Sequence, residues 1–477
     1  MSMIIKYDAI IVGAGSGGLN IAMTLHALGL KPLLIEKDAE NIGGDCLNTG
    51  CIPSKALIHI SRLVASGRQA QRFGFTLEGT VDWSAIKSYI QDKQNQIKEH
   101  ESLEYFRSIN LDVVIGEGFF VGKREVQVQD TIYNGKNIVV ATGSQPQQLH
   151  IPGMDMLEYG RHYFDSDSVW DLDELPQRLT IIGGGPIGLE IGQALQRLGV
   201  QVSVVQRGNT FLPKEHASIS PILKRQLEAE GMTFYLNTEP IGVLSQNTLK
   251  VKNRSTEEEF TQEFDGLMIA IGRELRGIKG LEQAQIQTDD RGKIKVNQYL
   301  QSTNPHIYVT GDAVGSLQFT HASELHAQII IKNMLSPWKK SLSWDAFSWV
   351  TFTDPEIATF GRSEVTLAQQ NIHFETVEID VVEEDRQLIE ETPGKLRLYI
   401  GCNNILGGTM IGAQAGEISQ ELILALSAGL KVDELFNKIY PYPTASRINK
   451  AAIRQLYKRK LTSINKTLLG LSYRVFG

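Results

Sequence analysis

Cysteine is scarce in this chain of 477 residues, which contains only Cys46, Cys51 and Cys402. Three cysteines cannot form the disulfide framework of a small secreted protein, and a close pair in a reducing compartment is more typical of catalysis or metal binding. No apolar run approaches the roughly 18 residues that would indicate a membrane span. No basic segment or apolar core of a secretory signal precedes the first strand pattern. We therefore expect a cytoplasmic protein.

Acidic residues are absent from the end of the chain. Residues 447–477 carry eight Lys or Arg and no Asp or Glu, so the net charge of −7 divides into +8 for this segment and −15 for the rest. This is not the pattern of a nucleic-acid-binding protein, and we expect no such partner.

Residues 456–477 are predicted to form a basic amphipathic tail. It either lies peripherally on the inner face of a membrane or packs on the protein itself. Its apolar residues fall on one helical face, Ile464, Leu468, Leu471 and Val475, with Tyr457 and Leu461 alongside.

The chain contains a diverged internal repeat. Residues 7–36 and 178–206 each read as a strand, a glycine-rich turn, a helix and a second strand. A single G-x-G-x-x-G pattern is weak, but two in this context predict two Rossmann-type sites, where the backbone approaches a pyrophosphate at a helix N-terminus. The six glycines are Gly13, Gly15, Gly18, Gly183, Gly185 and Gly188.

The residue that ends the second strand differs between the two copies. Glu36 can accept hydrogen bonds from a ribose diol, whereas Gln206 is neutral and is followed by Arg207. Loss of the acid and gain of a cation favour a 2′-phosphate, so we predict that the second site prefers NADPH, with NADH as the alternative. In that alternative Arg207 is only a solvated surface residue.

Cys46 and Cys51 lie in the segment Gly43–Lys55, shortly after the first fingerprint, which suggests a thiol pair that exchanges electrons with a flavin. An ideal helix would place residues five apart about 140° from each other, whereas a disulfide needs Cα atoms within roughly 7 Å. The start of this helix must therefore be distorted, and Gly50 and Pro53 permit that. Cys402 has no thiol nearby in sequence and is expected in a core.

The remaining segments are less distinctive. Residues 80–110 are predicted to form a charged, solvent-facing helix. Two strand patterns end in glycine, at Gly143 and Gly272. A third places Asp312 directly after Gly311, where its carboxylate could accept a hydrogen bond from a sugar-like hydroxyl. From residue 346, strands near 348–360, 374–382 and 395–402 alternate with helices near 363–370 and 415–429, which indicates an α+β domain without a nucleotide fingerprint.

Together these motifs resemble the FAD-dependent pyridine nucleotide-disulfide oxidoreductases, the family of dihydrolipoamide dehydrogenase, glutathione reductase and mercuric reductase. The resemblance covers roughly residues 5–455 and implies an α/β fold with two Rossmann-like FAD- and NAD(P)-binding domains and an α+β dimerisation domain. The implied limits are 1–149 and 275–345 for FAD, 150–274 for NAD(P), and 346–455 for dimerisation. An obligate homodimer follows, because in the family the last domain completes the partner's site.

The resemblance also implies roles for individual residues. Cys51 is the flavin-side thiol, Cys46 is the interchange thiol, and Lys55 and Glu190 form an ion pair beside the flavin. A helix N-terminus and Lys55 should lower the pKa of a thiol. No metal-ligating set is expected. The implied cofactor-binding residues are Gly13, Gly15, Gly18, Glu36, Lys37, Gly44, Lys55, Ala141, Thr142, Gly143, Gly183, Gly185, Gly188, Gln206, Arg207, Gly272, Gly311 and Asp312.

Near the C-terminus the chain departs from the family. Disulfide-reducing members carry a His-Pro-Thr-x-Ser-Glu segment, whose His is the base for thiol exchange. Here Tyr442 replaces the His and Arg447 replaces the Glu, and no histidine follows His373. Tyrosine, with an ordinary pKa of about 10, is a poor base at neutral pH. Mercuric reductase also has Tyr here, but this chain lacks that enzyme's C-terminal cysteine pair. The alternative is that Tyr440 and Tyr442 only pack in an interface.

Two departures lie near the nucleotide sites. Asp45 precedes Cys46 where the family has Thr, and its charge should raise the pKa of Cys46. Pro186 stands where some members place a tyrosine over the flavin.

We therefore expect a homodimeric flavoprotein that moves electrons from NAD(P)H through FAD to the Cys46–Cys51 pair. The final acceptor should be non-standard, such as a metal ion, a quinone or a small oxidant, and Tyr442 is a candidate catalytic residue. One alternative is a dihydrolipoamide dehydrogenase-like disulfide reductase. Another is a membrane-associated FAD-binding redox sensor or scaffold with little turnover.

Overall fold

The computed structural model describes residues 4–476, so residues 1–3 and Gly477, which the expected limits include, lie outside it. The chain divides into two compact units. The first comprises residues 1–209 and 233–342, and the second comprises residues 210–232 and 343–477. The fold is mixed α/β with parallel sheets, as the sequence predicts.

Parallel strands form the centre of the first unit. One sheet has the order β3-β2-β1-β6-β5-β4 with β17 beside β6, and another has the all-parallel order β11-β10-β9-β15-β8. Two small antiparallel sheets, β12-β13-β14 and β16-β7, complete the unit. The strands are β1 Ile4–Val12, β2 Pro32–Glu36, β3 Asp112–Ile115, β4 Gly118–Gly122, β5 Glu125–Val128, β6 Thr131–Val140, β7 Ser144–Pro146, β8 Tyr163–Asp165, β9 Arg178–Ile182, β10 Gln201–Gln206, β11 Thr233–Leu236, β12 Thr238–Ser245, β13 Thr248–Asn253, β14 Glu259–Glu263, β15 Gly266–Ile269, β16 Arg273–Leu275 and β17 Ile307–Val309.

Helices connect these strands. Each parallel crossover, β1-α1-β2 and β9-α6-β10, follows the sequence repeat, and the apolar strands are buried because helices cover parallel sheets. The α-helices of this unit are α1 Ser16–Ala27, α2 Gly44–Asn48, α3 Cys51–Ala70, α4 Trp83–Lys98, α5 Leu103–Ser108, α6 Pro186–Arg197 and α8 Thr320–Leu335. Short 3-10 turns lie at Ala39–Asn41, Gln71–Phe73, Met154–Met156, Val169–Asp171 and Gly311–Val314.

The first glycine of each fingerprint explains why the repeat is built as it is. Gly13 has φ +113° and Gly183 has φ +111°, a backbone region that favours glycine. A Cβ on Gly13 would lie 2.2 Å from the Ala141 carbonyl oxygen, and one on Gly183 would lie 2.3 Å from that of Ala270. The neighbouring strand end therefore fits against each turn only if the turn has no side chain.

The prediction of one solvent-facing helix over residues 80–110 is wrong in two respects. The segment contains two helices, because Ser102 caps α5 by accepting a hydrogen bond from the Tyr105 amide at 3.2 Å. It also has a buried face, formed by Trp83, Ile86, Ile90 and Phe106. The sequence pattern did not reveal this buried face, because its few apolar residues lie among many charged ones.

The second unit contains an antiparallel sheet in the order β18-β19-β22-β21-β20, which agrees with an α+β domain. Helices α11, α12 and α14 pack on this sheet around a core of mainly aliphatic side chains. The elements are α7 Ser220–Ala229, β18 Ser348–Thr351, β19 Glu356–Gly361, α9 Glu364–Gln369, β20 Glu375–Asp380, a 3-10 turn Val381–Glu383, α10 Asp385–Ile389, β21 Lys395–Gly401, β22 Asn404–Gly412, α11 Ala415–Ile418, α12 Gln420–Ala428, α13 Val432–Asn437, α14 Arg447–Lys460 and α15 Ser463–Phe476.

Two sequence expectations for this unit are wrong. Cys402 is exposed, in the turn between β21 and β22, because its left-handed backbone (φ +50°) points the chain away from the core. Tyr457 does not belong to the exposed tail: it lies on α14 and packs on Phe436 with ring centroids 4.6 Å apart.

The exposed tail is α15, none of whose residues is buried. Ile464, Leu468, Leu471 and Val475 are each more than half exposed. The Lys460 side chain, one of the tail cations, lies outside the described residues. Within residues 4–476, no helix has the length and apolar character needed to cross a membrane.

Candidate active site

The two cysteines lie on either side of a break between two helices. Cys46 is in α2, and Cys51 is the first residue of α3. Gly50 precedes α3 with φ −110° and ψ −107°, and its amide donates to the Asp45 carbonyl at 2.5 Å. The predicted distortion is therefore confirmed, and it leaves two free thiols close enough for each to shift the pKa of the other.

The two thiols are electrostatically unequal. The pKa of Cys51 is lowered to about 6, first because Cys46 donates a hydrogen bond to its sulfur and further because of Thr320 and Lys55. The Thr320 hydroxyl lies 3.3 Å from the Cys51 sulfur. The N-terminus of the 20-residue helix α3 also favours a thiolate at Cys51. In contrast, the hydrogen bond to Cys51 and burial raise the pKa of Cys46. Cys51 is thus the thiolate of the pair and Cys46 holds the proton.

The Lys55 ammonium group lies 2.6 Å from the Glu190 carboxylate. Lys55 is on α3 and Glu190 is on α6, whose helices pack together. Because the Glu190 side chain is almost fully buried, the pair links the helix of the dithiol to the helix that opens the second fingerprint.

Asp45 acts differently from the sequence expectation. Its carboxylate pairs with Arg273 and lies 3.7 Å from Arg276, and Arg273 also lies 3.2 Å from Asp167. The pKa of Cys46 is raised as expected, chiefly by Cys51 and by burial, and the acid that adds a smaller contribution is Glu101 and not Asp45. The two arginines neutralise Asp45, so its charge does not act alone on the thiol.

The first fingerprint gathers its predicted residues at the carboxyl ends of parallel strands. Glu36 ends β2, and its carboxylate accepts hydrogen bonds from the Ala14 amide at 2.7 Å and the Lys37 amide at 2.8 Å. Burial raises the pKa of Glu36. Asp312 follows β17 and accepts from the Ser144 hydroxyl at 2.5 Å, and burial raises its pKa as well. Ala141, Thr142 and Gly143 follow β6.

The second fingerprint repeats this arrangement without the acid. The Gln206 side-chain oxygen accepts from the Gly184 amide at 2.9 Å, as Glu36 does from Ala14. Pro186 is the first residue of α6, and Gly185 immediately precedes it. A Cβ built on Gly185 would meet no atom within 4 Å. Arg207 is largely exposed, and both Arg207 and Arg254 lie 3.3 Å from Glu239. Gly272 follows β15 with φ +127°.

Tyr442 belongs to the second unit, whereas the dithiol belongs to the first. Tyr442 is 68% exposed, and its hydroxyl donates to the Asp385 carboxylate at 3.0 Å, which raises its pKa. Arg447 lies 3.6 Å from Glu384. Tyr440, in contrast, is buried and donates to Glu421 at 2.7 Å, as a packing residue does.

Sequence reasoning missed four residues of these sites. Thr320 is 269 residues from Cys51, and no local pattern marks it. Arg254 lies on an exposed turn 47 residues from Arg207. Arg273 directly follows the strand-to-glycine pattern at Gly272, which could have drawn attention to it. Glu101 lies at the interruption between α4 and α5, which was predicted to be continuous helix.

Comparisons with known proteins bear on this arrangement. The family model for the pyridine nucleotide-disulphide oxidoreductases matches residues 7–327, and that for their dimerisation domain matches residues 347–452. The chain belongs to this oxidoreductase family. The dimerisation domain supports a homodimer.

Individual relatives of this oxidoreductase span most of its length. A dihydrolipoyl dehydrogenase of Chlamydia muridarum is 30% identical over 93% of this chain and 95% of its own. A mercuric reductase of Staphylococcus aureus is 27% identical over 94% of this chain and 82% of its own. The HOCl-induced flavoprotein disulfide reductase RclA of Escherichia coli matches in structure with a TM-score of 0.82 at 25% identity, over 94% of this chain and 99% of its own.

The oxidoreductase family uses FAD and NAD(P)H, and both fingerprints of this chain fit such groups. No side chain caps α1 or α6, so the amides of both helix N-termini remain available to a pyrophosphate. Gly43 and Gly44 add no side chains beside the first turn. Each Glu36 oxygen accepts one bond and keeps capacity for a ribose hydroxyl. Bound FAD would accept hydride from the nicotinamide and exchange electrons with the dithiol.

The pKa of Cys51 predicts a pH dependence. In the two-electron-reduced holoenzyme, the charge-transfer absorbance of a thiolate beside oxidised flavin should be strong at pH 7 and should decline as the pH falls through about 6. The sign follows from the lowered pKa, because the thiolate exists above it. Lys55→Met should move the midpoint to higher pH, and Cys51→Ser should abolish the band. Anaerobic spectrophotometric titration measures all three.

Lys31→Met, which removes a surface cation near Asp112, is the matched control and should leave the midpoint unchanged. A wild-type midpoint near the ordinary cysteine value of about 8.5 would contradict the assignment of Cys51.

Proposed function

We propose that this oxidoreductase passes electrons from NAD(P)H to the Cys46–Cys51 dithiol and from there to a thiophilic metal ion, rather than to lipoamide or glutathione disulfide. The observation that carries the proposal is the state of Tyr442. Its hydroxyl donates to Asp385 and its pKa is raised, so it stays protonated at neutral pH. It cannot supply the base that exchange with a disulfide substrate requires.

A metal ion avoids that requirement. Soft cations bind thiolates directly, and Cys51 is already ionised near neutral pH, so only the Cys46 proton has to leave to solvent. The electrons balance: one NAD(P)H, releasing one proton, reduces one Hg(II) to Hg(0) or two Cu(II) to Cu(I). A mercuric reductase is among the relatives, and RclA of Escherichia coli has been solved as a Cu(II) complex, which supports this class of acceptor.

The roles of the other residues follow from their positions. Cys46 would be the outer sulfur that meets the acceptor, and Cys51 the inner thiolate. Lys55 and Glu190 would stabilise that thiolate and fix α3 on α6. We likewise propose that residues 1–149 and 275–345 bind FAD, that residues 150–274 bind NAD(P), and that residues 346–455 form the dimerisation domain. The cofactor-binding residues that the family resemblance implies are proposed as well.

An acceptor panel tests the proposed function. With NADPH as donor, kcat/KM for Cu(II) or Hg(II) should exceed that for lipoamide and for oxidised glutathione by about 10²-fold or more, because disulfide exchange lacks its base. Cys46→Ser should abolish metal turnover while reduction of the flavin by NADPH persists. Stopped-flow and steady-state absorbance under anaerobic conditions measure both steps.

Cys402→Ser is the matched control, because this exposed thiol should not contribute. Lipoamide turnover equal to metal turnover would favour the dihydrolipoamide dehydrogenase-like alternative. Turnover only with quinones or small oxidants would also reject a metal ion, and no turnover with any acceptor would favour a redox sensor or scaffold. Tyr442→His combined with Arg447→Glu should raise lipoamide turnover, since it restores the base and its acidic partner.

We also propose that the second site prefers NADPH. Arg207 and Arg254 share Glu239 as their partner, so two guanidinium groups lie beside the end of β10. A 2′-phosphate could pair with both, since arginine suits phosphate recognition.

Arg207→Gln and Arg254→Gln should each raise KM for NADPH about 10-fold and leave KM for NADH unchanged. Arg161→Gln, which alters an exposed arginine paired with Glu158, should change neither constant. Equal use of both nucleotides by the unaltered enzyme would contradict this preference.

The tail helix α15 suits an anionic lipid surface. Its exposed apolar face and its cations, which no acid balances between residues 447 and 477, together form the pattern of an interfacial helix.

The holoenzyme should sediment with phosphatidylglycerol vesicles but not with phosphatidylcholine vesicles. Leu468→Glu with Leu471→Glu should abolish sedimentation and keep NADPH oxidation. Ser463→Glu with Asn465→Glu carries the same added charge on α15 but off its apolar face, and should weaken sedimentation less. Absence of binding to phosphatidylglycerol would show that the helix packs on protein instead.

A further inference from the structure

One carboxylate close to the Cys46 thiol has no partner. Glu101 lies in the short link between α4 and α5 and is half-buried. Among residues 4–476, no cation or hydrogen-bond donor pairs with its side chain, and burial alone raises its pKa. Partial burial of an unpaired carboxylate is unfavourable for folding, so its presence calls for a functional explanation.

Glu101 and Cys46 line the same cavity. This open cavity has a volume of about 460 Å³, and its wall also includes Thr320, the partner of Cys51. The Glu101 carboxylate approaches the chain just before Cys46, where a Cβ built on Gly43 would lie 3.1 Å from its Oε2 atom. Its charge acts on the thiol, because Glu101 is among the causes that raise the pKa of Cys46.

The backbone that carries Glu101 is held in this position by contacts on both sides. Gln94, on α4, donates its side-chain amide to the carbonyl oxygens of Leu47 at 2.9 Å and of Asn48 at 2.7 Å, which fastens α4 to the helix that carries Cys46. Ser102 caps α5 immediately after Glu101. The backbone of Glu101 therefore cannot move away from the helix that carries Cys46 without breaking these bonds.

We propose that Glu101 sets the charge selectivity of the Cys46 cavity, so that cationic acceptors enter and anionic ones are repelled. The other ionisable side chains that line it besides the thiol are His100, Tyr105 and a second, exposed carboxylate, Glu324, and no lysine or arginine is among the lining residues. Glu101 is the carboxylate that is partly buried there, and a charge inside a partly enclosed cavity acts more strongly than one in open water. This inference deepens the proposed function, on which it rests in taking Cys46 as the exit for electrons, and it assigns the acceptor to the class of thiol-reactive cations.

Alkylation of Cys46 tests the proposal without any turnover. In the reduced holoenzyme carrying Cys402→Ser, the Cys46 thiolate displaces iodide from either neutral iodoacetamide or anionic iodoacetate. Because the same sulfur attacks both reagents, the ratio of their rate constants reports the local charge and not the nucleophilicity of the thiol. Glu101→Gln should raise the iodoacetate-to-iodoacetamide ratio about 3- to 10-fold. Peptide mass spectrometry measures alkylation at Cys46.

Glu99→Gln is the matched control: it removes the same charge two residues away, from an exposed side chain that does not line the cavity, and should leave the ratio unchanged. In the unaltered enzyme, added salt should raise the ratio towards that of a free thiol, which keeps the test open if Glu101→Gln does not fold. A ratio that responds to neither Glu101→Gln nor salt overturns the proposal.

Acceptor kinetics separate this inference from the proposed function. Glu101→Gln should lower kcat/KM for Cu(II) about 3- to 10-fold and raise that for the anionic oxidised glutathione. If the alkylation ratio responds but no metal ion is reduced, the proposed function is wrong and the charge selectivity stands. If metal ions are reduced and the ratio does not respond, only the role of Glu101 is wrong.

Discussion

The site depends on the close approach of two glycine backbones. Gly43 donates its amide to the Ala14 carbonyl at 3.0 Å, and a Cβ on Gly44 would lie 2.7 Å from the Cα atom of Gly15. This contact joins the nucleotide-binding turn to the short helix that carries Cys46. Any side chain at Gly44 would separate them, so the dithiol can lie beside a cofactor held by the first fingerprint only because neither position has one.

The groups around the dithiol shift the pKa values of its two thiols in opposite directions. On the inner side, the start of α3, Thr320 and Lys55 stabilise negative charge on Cys51. On the outer side, Cys51 itself, burial and, to a smaller extent, Glu101 raise the pKa of Cys46. The two cysteines therefore differ in chemistry although they are five residues apart. The difference comes from the elements around them and not from the cysteines themselves.

Local patterns made the scaffold predictable. The strand-turn-helix-strand repeats, the helix break at Gly50 and the α+β C-terminal domain each follow from residues close in sequence, and the structure and the family match confirm them. The site was less predictable, because Thr320, Arg254 and Glu101 reach it through tertiary contacts that no short pattern encodes. Asp45 was misjudged for the same reason: Arg273, which neutralises it, is 228 residues away. The prediction that Cys402 lies in a core was wrong, because the residue is exposed in a turn with left-handed backbone.

Two substitutions in this chain share a physical character. Gln206 makes the same bond to a turn amide that Glu36 makes, but without the negative charge. Tyr442 stands where disulfide-reducing relatives have histidine; it forms a hydrogen bond through its hydroxyl but does not accept a proton near neutral pH. Each change keeps a polar group able to hydrogen-bond and alters only charge or proton affinity. On the function proposed for this oxidoreductase, the two changes alter which charges its cavities accept and where protons can go. A route for electrons into the dithiol would then coexist with an exit unsuited to disulfides.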